Sequence, residues 1–228
     1  MRGRLTSVAL AILALGAGGT GVAAASPRDT AATHAYLVAD YAVLHSTVSK
    51  WSVLEANIAQ LDARYQRECA HIGAGSPQSE EEQKLSMEVA GALWTAGYRT
   101  NAKAVKSFIA RVGRLSWSNS KVTRAARSLT SALHAMVTLE EPDLCGDVRA
   151  WAAGGYQAVS IHTDQYARHV EAIEVHQIPR RLLAPYLSGS DAALAARVQR
   201  LDRRYEELEF VHGQDQWNKL LEVLALNQ

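Results

Sequence analysis

From about residue 31 onward, apolar side chains recur every three to four positions, the spacing that puts them on one face of an α-helix. Few β-branched runs interrupt this period and no segment alternates apolar with polar, so the chain predicts helices and no strands. A long first helix is expected from about Ala31 to Ile72, its inward stripe marked by Leu37, Tyr41, Leu44, Val48, Trp51, Leu54, Ile58, Leu61 and Tyr65. The turn-forming stretch from Gly73 to Gln78 ends it. Ser79 with Glu82 three residues on is a capping-box signature, and opens a second helix reaching about Leu115. Asn119 or Ser120 caps a third through Val122, Leu129, Leu133 and Met136, ending near Leu139.

Pro142, at a first-turn position, starts a fourth helix that carries Leu144, Val148, Trp151, Val159, Tyr166, Val170 and Ile173 inward, with Gly154 and Gly155 as its expected kink. Pro179 and Pro185 bracket a short turn. Ser190 or Asp191 then opens a last long helix through Leu194, Val198, Leu201, Tyr205 and Leu208 to Leu224. The expected architecture is an all-α helical bundle of about four long helices plus one or two short ones.

The first residues break this pattern. Arg2 and Arg4 precede an uncharged apolar stretch from Leu5 to about Leu15, followed by a Gly-rich segment and the small-residue run Ala23, Ala24, Ala25. A basic start, short hydrophobic core and small-residue exit describe a secretory signal peptide over residues 1–25, with cleavage near Ala25. A spanning anchor wants ~20 well-packed apolar residues, and Gly16, Gly18, Gly19 and Gly21 weaken that reading. Residues 26–228 are then expected to form a single all-α domain with no transmembrane segment. Its place is outside the cytoplasm, secreted or associated with the cell envelope.

Charge narrows the partners. Without Arg2 and Arg4 the chain carries 22 Lys plus Arg against 23 Asp plus Glu, a balance unlike that of a dedicated nucleic-acid binder. Arg outnumbers Lys 18 to 6, the usage of a GC-rich bacterial genome. The two cysteines, Cys69 and Cys145, have no close Cys-x-x-Cys spacing, and in an exported chain they predict one disulfide. Closing a loop of about 75 residues is worth up to ~4 kcal/mol in the chain-entropy model. Cys69 falls in the last turn of the first expected helix and Cys145 in the first turn of the fourth. The bridge would make those two helices roughly antiparallel.

Three constellations carry candidate chemistry. Leu61-Asp62-Ala63-Arg64-Tyr65 precedes Glu68 and His71, and Leu201-Asp202-Arg203-Arg204-Tyr205 precedes Glu209 and His212. Each is a Glu-x-x-His pair of the kind that grips an ion in carboxylate-bridged di-metal bundles, with Glu81, Glu82, Glu88, Asp143 and Asp147 as further ligands. The register opposes this: His71 lies about 120° from the inward Tyr65 direction, whereas His212 points inward. His162, His169 and His176 are spaced by sevens, roughly 10.5 Å apart along one helix, too far for two of them to share an ion. Ser118 and Lys121 have Ser-x-x-Lys spacing in a helix-capping region, without the companion motifs of acyl-transfer enzymes. No nucleophile elbow, phosphate-cradling loop or His-Glu-x-x-His motif is found, and nothing in the sequence calls for a cofactor.

The strongest departure from average lies between Glu88 and Glu140, where there is no acid but eight Arg or Lys residues. On the second expected helix Arg99, Lys103, Lys106 and Arg114, flanked by Arg111, oppose an apolar face of Trp94, Tyr98, Val105, Phe108, Val112 and Leu115. An ordinary core helix with a solvated face, or one neutralised by Glu206, Glu207 and Glu209, produces the same pattern. The functional reading is a docking surface for an anionic envelope polymer, an acidic protein or an anionic lipid surface. The sequence therefore points to an exported, non-enzymatic binding or interaction module. A metal-binding or di-metal oxidoreductase bundle using Glu68, His71, Glu209 and His212 is the alternative.

Overall fold

A computed structural model describes residues 25–69, 99–138, 143, 145–146, 149, 153, 178 and 180–223, without side-chain detail at 58, 62, 65, 66, 69 and 209–223. Among these residues every regular element is helical. They are α1 (Pro27–Ser49), α2 (Trp51–Cys69), α3 (Ala102–Val112), α4 (Ser120–Thr138), the single turn α5 (Arg180–Leu183) and α6 (Gly189–Val223). A 3-10 turn, Ala184–Tyr186, links the last two. None of the described helices is long and apolar enough to cross a membrane.

α1 is the shared wall of the fold, packing against both α3 and α6, while α4 packs on α3 and α2 on α6. Its inward residues Ala32, Tyr36, Leu37 and Ala39 meet Phe108 and Val112 of α3, Val122, Ala126 and Leu129 of α4, and Val198 of α6 in one core. Tyr36 and Phe108 meet edge to face, with ring centroids 6.2 Å apart. The Trp117 indole N–H, buried between α3 and α4 in sequence, donates to Thr33 Oγ1 of α1 at 2.9 Å.

The first helix is not continuous as expected. It starts earlier, at Pro27, because Ser26 accepts a hydrogen bond from the Asp29 N–H at 3.1 Å and Pro27 suits a first-turn position. It breaks at Lys50, after the run Ser46-Thr47-Val48-Ser49. There the Thr47 and Ser49 hydroxyls donate back to the carbonyls of Val43 and His45 at 2.9 and 2.6 Å, a local competition that bends helices. Lys50 N–H is shared between Ser46 O and Thr47 O, and the Lys50 carbonyl restarts the ladder by accepting from Val53 and Leu54.

The second expected helix is interrupted likewise. Arg99 and Thr100 are helical, Asn101 is a turn, and α3 then runs to Val112 rather than Leu115. Asn101 is only 4% exposed, accepts from the Ser46 hydroxyl at 2.7 Å and donates to Thr47 Oγ1 at 2.6 Å. The two breaks therefore face each other and share a polar knot, extended by Asn57 donating to Thr100 at 2.8 Å.

The third helix agrees with its expected span, and Asn119 Oδ1 accepts the Lys121 N–H as its cap. The last helix begins at Gly189, one or two residues before the expected Ser190 or Asp191. Its cap is Ser188, whose N–H donates to Asp191 Oδ2 at 2.9 Å. The Gly73–Gln78 turn, the Ser79 capping box and most of the fourth expected helix lie outside the described residues. Cys145 is buried and no described cysteine is free, while the side chain of Cys69 lies outside the described set.

Candidate functional site

α3 separates its two chemistries cleanly. Val105, Phe108 and Val112 are buried, the last completely, whereas Lys103, Lys106 and Arg111 are exposed, as are Arg114 just past its end and Arg99 just before the Asn101 turn. The apolar face is core, as the periodicity predicts; Trp94 and Tyr98 lie outside the described residues. The cationic surface is wider than one helix. Lys121, Arg124 and Arg127 of α4 are also exposed, and Arg28 of α1 donates to the Ser116 hydroxyl in the loop between α3 and α4.

Gly113, at the end of α3, lies opposite Thr130 of α4, where a Cβ built on the glycine would stand 3.9 Å from the threonine hydroxyl. Arg114 follows Gly113 in sequence, and Arg127 lies about one helical turn before Thr130, both exposed. Ion pairs join His34 with Asp191, Arg180 with Asp202 and Arg204 with Glu207, and none of these uses a cation of α3 or α4. Glu207, an expected neutraliser of the basic face, is taken by its own helix neighbour Arg204 at 3.1 Å. Glu206 is exposed on α6, and the Glu209 side chain is outside the described set.

The metal candidates are only partly in view. Glu68 is exposed on α2 and Glu209 and His212 fall on α6, but the latter two side chains and all of His71 lie outside the described residues. The same holds for Glu81, Glu82, Glu88, Asp147 and the His162, His169, His176 series. Asp143 accepts the Gly146 N–H at 2.9 Å as a local turn bond. Ser118 does not face Lys121 for chemistry: its hydroxyl and its N–H both go to the carboxylate of Asp29, buried under the α3–α4 loop. The Ser118 hydroxyl bond is the main influence holding Asp29 below the ordinary carboxylate range.

Two polar clusters escaped the sequence reading. Asp191 is fully buried, and its Oδ1 lies 2.7 Å from Nδ1 of the half-exposed His34. Burial pushes its carboxyl up, but the bonds from Ser188 and His34 outweigh this and hold it below the ordinary range. An ionised carboxylate only accepts, so Nδ1 carries the proton. Serine, aspartate and histidine are all present, but Ser188 bonds the carboxylate rather than the imidazole. The arrangement is a helix cap tied to α1, and no nucleophile is activated by it.

The second cluster joins α1, α5 and α6. Arg180 donates to Asp202 Oδ2 at 2.7 Å, and Asp40 lies near enough to feel both charges. Burial, with Asp202 adding repulsion and Arg180 only partly relieving it, pushes Asp40 up to about 7. Burial raises Asp202 as well, and it raises the buried Tyr36 beside them. Residues 40, 180 and 202 are too far apart in sequence for any spacing rule to have joined them.

The chain matches no protein-family model, no curated protein and no solved structure.

Proposed function

We propose that this chain is an exported, non-enzymatic binding module that docks an anionic partner through the basic face of α3. In this reading residues 1–25 are a cleaved signal, residues 26–228 are one helical domain, and Cys69 is bridged to Cys145. The observation that carries the docking role is the division of α3, with Val105, Phe108 and Val112 inside and Lys103, Lys106 and Arg111, followed by Arg114 just past its end, in solvent without a described carboxylate partner. An acid-free stretch of surface attracts anions over about a Debye length, ~8 Å at physiological salt. The burial of Cys145 and the lack of a free described cysteine support the bridge.

The docking role is tested with long-chain polyphosphate, polyglutamate and phosphatidylglycerol vesicles. At low salt at least one should bind, and binding should weaken steeply towards physiological salt. Lys103→Glu with Lys106→Glu should remove it while leaving stability within about 0.5 kcal/mol, the usual range for solvated surface changes. A parent that binds none of the three, or a reversed variant that binds equally well, overturns the proposal. The bridge has its own test in the intact mass, which should rise by a pair of hydrogens on reduction; two alkylatable thiols in the unreduced protein would dismiss it.

A further inference from the structure

We infer that the anionic partner is a flexible, base-free polyphosphate-type polymer, held across the meeting of α3 and α4 rather than along α3 alone. The inference rests on the docking reading above and gives it a partner. Lys103, Lys106 and Arg111 on α3, Arg114 just past its end, and Lys121, Arg124 and Arg127 on α4 are all exposed and make no described ion pair. The intervening loop brings no acid, and it closes against α1 through Arg28 and Asp29, the latter buried and occupied by Ser118. At a rise of 1.5 Å per residue the cations extend over ~12 Å of α3, from Lys103 to Arg111, and ~9 Å of α4. A single small anion touches only one or two of them. A chain of linked phosphates touches many at once.

The buried faces argue against the other anionic partners. A helix that lies in a lipid surface must offer its apolar side to the acyl chains, but the apolar side of α3 is already core. The large apolar side chains exposed among the described residues, Val38, Val53 and Leu187, lie on α1, α2 and the loop before α6, not on α3 or α4. Single-stranded nucleic acid gains much of its affinity by stacking bases on exposed aromatic rings. The aromatic residues of the α3–α4 hairpin are Phe108 and Trp117, both buried, with the indole N–H committed to Thr33. What the surface offers is charge without stacking or insertion.

The experiment measures binding of the mature protein to polyphosphate of about one hundred units across a salt series, using the single-strand counterion-release slope of about 0.7 per contact as the scale. Tripolyphosphate at equal total phosphate should compete poorly. Changing Lys121, Arg124 and Arg127 together to Gln should lower the magnitude of the log–log salt slope by about 2 with helicity unchanged. Should the triple variant fold poorly, Arg127→Gln alone should lower it by about 0.7.

If the α4 variants bind like the parent while Lys103→Glu with Lys106→Glu loses binding, the two-helix surface is wrong and the docking reading stands. Tighter binding of phosphatidylglycerol vesicles, polyglutamate or an oligothymidylate of equal charge overturns the polymer as partner. If no anionic probe binds at low salt, the docking reading fails as well.

Discussion

Asp40 carries a charge that its surroundings oppose. Burial and Asp202 both favour the neutral form and push its carboxyl up from an ordinary 3.8 to about 7. A folded-state pKa above the unfolded one contributes stability that is complete below about pH 4 and is lost as pH rises through about 7. Asp29 and Asp191 have the opposite sign: they stabilise above the ordinary carboxylate range and lose that contribution as pH falls through their lowered values. The protein should therefore weaken from about pH 5 to pH 8, and Asp40→Asn should flatten that slope and exceed the parent at pH 8, as read by urea unfolding at both values. An unchanged slope would reject the assignment. Phe108 was legible from its place in the apolar stripe, and Phe108→Ala should cost about 3–5 kcal/mol in thermal or urea unfolding. Asp40 was not legible, since its environment is made by residues 140 and 162 positions further along.

At the level of elements, the helical period located nearly every described helix, but it missed both breaks. Apolar spacing reports which face is buried and is blind to whether the backbone continues through a Ser-Thr-Val-Ser run. The interruption at Lys50 depends on the Thr47 and Ser49 hydroxyls turning back on their own helix, and Asn101 is held by Ser46 and Thr47 of the same run, from another part of the chain. Asn101→Ala should therefore cost about 1–3 kcal/mol, because it leaves the part-buried Ser46 hydroxyl without its acceptor and removes the bond to Thr47. If Asn101→Ala proves neutral in urea unfolding, the knot contributes nothing to joining α1 and α3. The cap of α6 was misplaced by a residue or two for a similar reason: Ser188, Ser190 and Asp191 are all plausible caps by composition, and only the Ser188 N–H bond to Asp191 distinguishes them.

For the whole molecule, the basic surface was readable as a composition anomaly, while its spread onto α4 and its join to Arg28 needed the packing of three helices. The same packing has a temporal side. α1 is synthesised before every other described helix, yet its partners Asp191 and Arg197 follow His34 and Tyr41 by 157 and 156 residues. Contacts of such separation pay their loop-closure entropy before they return anything. A chain stopped after Ser188 should keep helical circular dichroism but lose hydrogen-exchange protection throughout α1; protected amides there would show that α3 alone completes it. The helix that leaves the ribosome early is thus finished late, and its apolar stripe stays open to capture by holding factors, or by another copy of itself, until α6 arrives.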